Sequence, residues 1–265
     1  MHDVELKAEK LLEFCSAQLR RTLHRPLVVG LQAPQGAGKT TLVTRLMERL
    51  PAAGLRGVAV SIDDFYLTRQ EQLRLAAAHP GNRYLEHRGY PGTHDIALGE
   101  ATLFALRSLD AGSDGRMVRV PVYDKSQHGG RGDRAPESSW RDVTGPLDLL
   151  IIEGWMFGFT PVADSQLSDP FLLEPNHALA EYDRWYRLTD AMVVLRATDP
   201  NFVLRWRVEA EEAMKARGLP GLSREAIEDY VRRFLPAYAL YAGRADRWPV
   251  ERTLVLSLDG ARRLV

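Results

Sequence analysis

The feature that most constrains this chain is a short string between an apolar run and a helical stretch. Leu27–Leu31 leads into APQGAGKT, Ala33 to Thr40, and then into TLVTRLMERL, whose apolar residues recur at helical spacing. Strand, glycine-bearing turn, lysine, hydroxyl and helix are the parts of a phosphate-binding loop, or P-loop. Gly36 and Gly38 let the backbone curl so that successive N–H groups point inward, and the helix N-terminus adds partial positive charge. Lys39 then reaches the β- and γ-phosphates of a nucleotide, and the Thr40 hydroxyl reaches Mg²⁺. The predicted nucleotide-binding residues are Gln35, Gly36, Ala37, Gly38, Lys39, Thr40 and Thr41. The string departs from the general pattern only where Ala33 stands in place of the first glycine.

Further apolar runs occur at Val58–Ile62, Leu149–Ile152, Met192–Leu195 and Thr253–Leu256. Helical stretches separate most of them, at Thr40–Leu50, Ile96–Leu109, Ala178–Arg187, Phe202–Arg217 and Arg224–Tyr241. Strands that are apolar throughout, alternating with helices, imply an α/β fold with a parallel sheet covered on both faces. Val118–Val122 reads as a further strand, at an edge or leading into a loop. An amphipathic helix occupies the N-terminal stretch, about 1–24, and a helical excursion near 199–223 reads as a lid. The whole of 1–265 reads as one domain. His79–Asp95 and Tyr123–Pro146 are long segments rich in Gly, Pro, His and Arg, and long loops in a domain of this kind are usually functional or disordered.

Composition narrows the function. The 265 residues carry 35 Lys+Arg against 35 Asp+Glu, so the electrostatic signature of a nucleic-acid binder is absent. One cysteine, Cys15, excludes a disulfide framework and a cysteine-built zinc cluster. No apolar run approaches the roughly 18 residues that span a bilayer, and MHDVELKAEK lacks the apolar core of a signal peptide. The expectation is a cytoplasmic protein with no membrane or nucleic-acid partner. On the same grounds the RGD string at Arg131–Asp133 is not an adhesion motif.

In an open parallel sheet, ligands sit outside the carboxyl ends of the strands. Val58–Ile62 runs into Asp63 and Asp64, and Leu149–Ile152 runs into Glu153. Glu153 stands where a metal-holding acid belongs, and with Thr40 it forms the predicted metal pair. Asp63 is placed to accept a proton from a hydroxyl attacking the γ-phosphate. The bland alternative is that Asp63 and Asp64 cap or turn the chain into a helix beginning near Thr68.

APQGAGKTTL, SIDDFYLT, RGYPGTHD, PVYDKSQHGGRGDR, IIEGWMFGF and DPNFVLRWRVEAE follow one another in this chain. In that order they resemble the plant-type D-glycerate 3-kinase family, within the wider group of uridine kinases, phosphoribulokinases and pantothenate kinases. The resemblance spans Pro26 to Leu258. It implies a P-loop kinase fold with a central parallel five-stranded sheet and a helical lid, and ATP and Mg²⁺ as cofactors. It makes Asp63 the base, turns Tyr66 towards the acceptor and sets Glu153 beside the metal. Arg205 and Arg207 fall where the group carries its lid arginines. Two residues apart on a helix, they point about 200° from each other, so at least one of them is structural. Tyr90 and Pro91 depart from the plant pattern.

Glycerate has a carboxylate and two hydroxyls, which call for a cation and hydrogen-bonding groups. The two long loops supply His94, Asp95, Tyr123, Lys125, Arg131 and Arg134, and Asp64 joins this substrate set. Lys125 is the predicted partner of the carboxylate, and Asp95 that of a hydroxyl. Trp185, Trp206, Trp248, Met192 and Met214 read as packing residues. The leading reading is an ATP-dependent kinase of a small hydroxy acid, D-glycerate foremost. The alternatives are a kinase for another small hydroxylated metabolite, such as a nucleoside or pantothenate, and a non-catalytic nucleotide-binding module. A guanine-reading N/T-K-x-D string is absent, which argues against a switch GTPase.

Overall fold

The computed structural model describes residues 2–216, 218, 224–242 and 248–265. In chain order it contains α1 (His2–Arg21), β1 (Leu27–Gln32), α2 (Lys39–Arg49), β2 (Gly57–Ser61), α3 (Arg69–Ala78) and α4 (Ile96–Arg107). There follow β3 (Met117–Val120), β4 (Tyr123–Asp124), the kinked turn α5 (Gln127–Gly130), β5 (Asp133–Arg134), β6 (Arg141–Thr144) and β7 (Leu149–Gly154). The chain continues through α6 (Leu173–Ala178), α7 (Asp183–Tyr186), β8 (Ala191–Ala197), α8 (Phe202–Lys215), α9 (Arg224–Tyr241) and β9 (Thr253–Leu258). No described helix is long and apolar enough to cross a membrane.

Five parallel strands form the central sheet in the order β2-β7-β1-β8-β9. Every residue of β1 and of β7 is buried, which is why these runs are apolar without alternation. Alternate side chains still go to opposite faces. Leu150, Ile152, Val28 and Met192 pack with Leu103, Leu106, Trp185 and the inner face of α9, including Val231, Phe234 and Tyr241. Leu149, Ile151, Val29, Leu31 and Val193 pack with Leu11 and Cys15 of α1, Leu42 and Leu46 of α2, and Trp206 of α8. The sheet is thus a three-layer sandwich with α1 and α2 on one side and α4, α7 and α9 on the other.

The strand predicted at Val118–Val122 forms, but not at an edge of this sheet. β3 pairs antiparallel with β6 in a separate two-stranded ribbon, and its outward residues Met117 and Arg119 are exposed. The predicted long loop is therefore part ribbon, part short hairpin, with Tyr123 paired to Arg134 and Asp124 to Asp133. Of the predicted lid, 202–215 is helix α8, while 217 and 219–223, like the side chain of Met214, lie outside the described residues.

Ile151 of β7 has no exposed surface and belongs to the core on the α1 and α2 side of the sheet. Ile151→Ala should lower unfolding free energy by about 2–5 kcal/mol in a urea titration. A loss below about 1 kcal/mol would show that this face tolerates a void.

Candidate active site

The carboxyl ends of β1, β7 and β2 open into one cleft of about 1010 Å³. The loop after β1 lines it from Pro34 to Thr41 save for Ala37, whose side chain is buried in the core. Gly36 and Gly38 have φ of +78° and +87°, the left-handed region that favours glycine. At Gly36 the constraint is double, because a Cβ there would stand 2.8 Å from the Trp206 backbone. The loop is anchored from outside: the Gln35 N–H donates to the Tyr238 hydroxyl at 3.0 Å, and the Gly36 carbonyl accepts from Arg262 Nε at 2.7 Å. Lys39 opens α2 and donates to the Glu153 carboxylate, which is 9% exposed. Glu153 is in register with Leu31 on one side and Ser61 on the other. Parallel pairing therefore sets the strand-end acid beside the root of the loop that carries the lysine.

After β2 the chain makes a 3₁₀ turn, Ile62–Phe65, capped by Ser61, whose hydroxyl accepts the Asp63 N–H at 3.3 Å. The turn sends the two acids to different places. Asp63 lines the cleft and accepts from Lys125 Nζ at 2.5 Å. Burial works to raise its pKa, but the Lys125 and Lys39 ammoniums outweigh burial and hold it at about 2. Asp64 does not line the cleft; it receives the Tyr123 N–H at 3.4 Å. Burial, with the Asp63 charge adding to it, raises Asp64 to about 6.

Of the predicted acceptor residues, Tyr66, Lys125 and Arg131 line the cleft; Asp64, His94, Asp95, Tyr123 and Arg134 do not. His94 stands behind Tyr66, with ring centroids 4.3 Å apart, and its Nδ1 bonds the Tyr182 hydroxyl at 2.6 Å. Burial lowers its pKa to about 3, so it is a neutral packing element. Asp95 is the N-cap of α4: one oxygen takes the Leu98 N–H at 2.9 Å and the other faces Arg134 at 3.2 Å. Arg134 also donates to the Tyr66 carbonyl at 2.9 Å, so this pair braces the loop from behind rather than meeting an acceptor. Tyr123 packs edge-on against Tyr66. Arg207 lines the cleft, with Glu211 2.8 Å away. Arg205 points elsewhere, over the Phe202 ring and onto the Gly260 carbonyl. Trp185 and Trp206 are fully buried, as expected for packing residues.

Sequence reasoning missed much of the opposite wall: Tyr84, His87, Arg88, Trp155, Tyr230 and Arg233. Arg88 and Tyr90 belong to the RGYPGTHD string and Trp155 follows Glu153, so adjacency to motifs was their only signal. Tyr90 lies on the cleft wall, with the ring against Phe234 and Trp155.

Because the folded pKa of Asp64 is raised, its contribution to stability is full below the usual carboxylate range and is lost as pH rises through about 6. Asp64→Asn keeps the acceptor for the Tyr123 N–H and removes the charge. It should raise Tm by roughly 2–4 °C at pH 8, where the wild-type acid is ionised, and change it little at pH 4.5. A gain of equal size at both pH values would contradict the assignment.

With this geometry in place, known proteins can be set beside it. The chain is 43% identical over 245 residues to "D-glycerate 3-kinase, chloroplastic" of Arabidopsis thaliana, covering 89% of this chain and 53% of that protein. It thus spans about half the length of that relative. It is 38% identical to "Uncharacterized kinase mug58" of Schizosaccharomyces pombe, over 92% of this chain and 90% of the relative. Among solved structures, a D-glycerate 3-kinase from Cryptococcus neoformans var. grubii superposes with a TM-score of 0.88 at 31% identity, covering 97% of each chain. No family model matches the sequence.

Proposed function

The chain belongs to the D-glycerate 3-kinase family of P-loop kinases, and from that premise we propose that it transfers the γ-phosphoryl group of ATP to the 3-hydroxyl of D-glycerate. The observation that carries the reading is the convergence of Lys39, Glu153 and Asp63 at adjacent strand ends, around a cleft whose far wall is cationic. A nucleotide-binding scaffold has no need of a strand-end carboxylate held ionised opposite the P-loop.

The P-loop amides and Lys39 bind the β- and γ-phosphates and neutralise the charge that spreads over the transferring group. Asp63 accepts a hydrogen bond from the acceptor hydroxyl and so aims its oxygen at the γ-phosphorus. As the O–P bond forms and the bond to the β-phosphate oxygen breaks, the hydroxyl proton passes to Asp63 and ADP leaves. Lys125 keeps Asp63 ionised, so the carboxylate orients the hydroxyl throughout and takes the proton as the new bond forms. Arg207 from α8 is the lid arginine in reach of the phosphates, and Arg205 is structural.

Mg²⁺ is typically held by one or two carboxylates together with substrate phosphates rather than by a protein cage. The donors here are one carboxylate, Glu153, and one hydroxyl, Thr40, and no three-residue His/Cys/Asp/Glu group occurs among the described residues. That set fits a cation that arrives with the nucleotide. Thr40 and Glu153 would hold it, and it would neutralise β- and γ-phosphate charge.

The test is a coupled ADP-release assay with D-glycerate, L-glycerate, pantothenate, uridine and ribulose 5-phosphate. D-glycerate should be turned over fastest, and activity on neither glycerate enantiomer sinks the reading. Asp63→Asn should lower kcat by about 10²–10⁴ while KM for ATP stays within about threefold. Lys39→Ala should leave less than about a tenth of kcat in protein that circular dichroism shows to be folded. If Asp64→Asn damages turnover more than Asp63→Asn, the wrong acid of the pair has been chosen.

A further inference from the structure

The cleft holds several cations, and most are already committed. Lys39 faces Glu153, Lys125 faces Asp63, Arg207 faces Glu211, and Arg83 faces Asp169. Arg134 is held behind the cleft by Asp95. Lys125, the cation predicted for the acceptor's acid, is thus taken up by the base. Arg88 is a strut: it donates to the Gly130 and Arg131 carbonyls and lies 5.6 Å from the centre of the Tyr123 ring.

Arg131 and Arg233 are different. Among the described residues Arg131 forms no ion pair, and its guanidinium meets His87 Nε2. That contact needs a lone pair on the imidazole, so His87 is neutral there. Burial, and with it the charges of Arg131 and Arg233, lowers the His87 pKa. Arg233 projects from α9 into the same cleft. Among the described residues its Nε is buried without a hydrogen-bond partner, and the exposed Asp229 carboxylate lies 3.5 Å from its terminal nitrogen. Its backbone is fixed by the Tyr90 hydroxyl, which donates to the Arg233 carbonyl. Two guanidiniums near a neutral imidazole, one of them with an unsatisfied Nε and a loose pairing to the exposed Asp229, leave room for a further anion. A planar carboxylate is the ligand that such forks take.

We propose that Arg131, in contact with His87, and Arg233, from the same cleft wall, bind the carboxylate of the acceptor. This rests on the kinase reading above and sharpens it by moving acid recognition from Lys125 to a subsite shared by the RGD loop and α9. Tyr90 and Arg88 position the two arginines through the Arg233 and Arg131 main chains.

The experiment is steady-state kinetics on Arg131→Gln, Arg233→Gln, Arg233→Lys and Lys125→Met, with wild type alongside. Losing one charged hydrogen-bond partner should raise KM for D-glycerate about 10- to 150-fold in each Gln variant. Values of kcat and KM for ATP should stay within about threefold. Arg233→Lys keeps the charge and should recover part of the loss, which separates recognition from a folding defect. Lys125→Met should instead lower kcat, because it acts through Asp63. Wild type inert towards D-glycerate overturns the kinase reading and the subsite with it. Active wild type with a KM for D-glycerate that moves less than threefold in both Gln variants overturns the subsite alone. So does a KM effect of the expected size found in Lys125→Met and not in the arginine variants.

Discussion

The register of three parallel strands is the constraint on which the rest of the site depends. Glu153 lies between Leu31 and Ser61, so the loop after β1 and the turn after β2 leave the sheet on either side of one carboxylate. Parallel ladders hold such neighbours at a strand spacing of about 4.8 Å, short enough for Lys39 to span. A slip of one residue would turn Glu153 towards the other face and away from Lys39. The pairing of β7 with β1 and β2 therefore fixes the chemistry at its end. Stability and function are specified by the same six residues.

Charge pairing organises what the register brings together. Lys39 with Glu153, a largely buried pair, and Lys125 with Asp63, where the lysine is half exposed, set opposite charges face to face in the cleft, and burial makes an unpaired ion costly at the first. Asp63 is the clearest product of this arrangement, because two ammoniums overcome its burial, while at Asp64, the next residue, burial and the Asp63 charge outweigh the pull of Lys125 and Arg141 and the pKa is raised. Adjacent carboxylates with opposite shifts divide the labour between them. One remains ionised in the cleft, and the other is packed against the Tyr123 amide.

The sequence made plain whatever depends on neighbours along the chain. The five strands, the P-loop glycines and the strand-end acids are local patterns, and the parallel sheet follows from their order. The 200° separation of Arg205 and Arg207 allowed only one to face the phosphates, and it is Arg207 that lines the cleft. Asp95 is instructive in the other sense. An acid directly before IALGEATLFALR is an N-cap signal, yet the motif around it suggested a substrate contact. What could not be read is whatever depends on distant partners. His87 meets Arg131, and Arg233 joins them from α9, with no local pattern to link the three. Likewise β3 finds β6 rather than the main sheet, because its alternating exposed residues suit a ribbon with one wet face.

The same dependence on distance shapes the P-loop itself. Its glycines permit the curl, but they do not choose where it sits. Arg262, near the C-terminus, donates Nε to the Gly36 carbonyl, a second nitrogen to the Trp206 carbonyl at 3.2 Å, and a third to Glu209. Its own carbonyl accepts from Lys7 of α1 at 2.8 Å. Arg262 holds a φ of +63°, a conformation that costs a non-glycine residue about 1–3 kcal/mol and persists only where its surroundings over-determine it. These contacts supply that determination. They also join the nucleotide loop to α8, so that Arg207 keeps a fixed place beside Gly36. The phosphate cradle is thus a local motif in sequence and a long-range construction in space, held by α1, α8 and the last turn of the chain together.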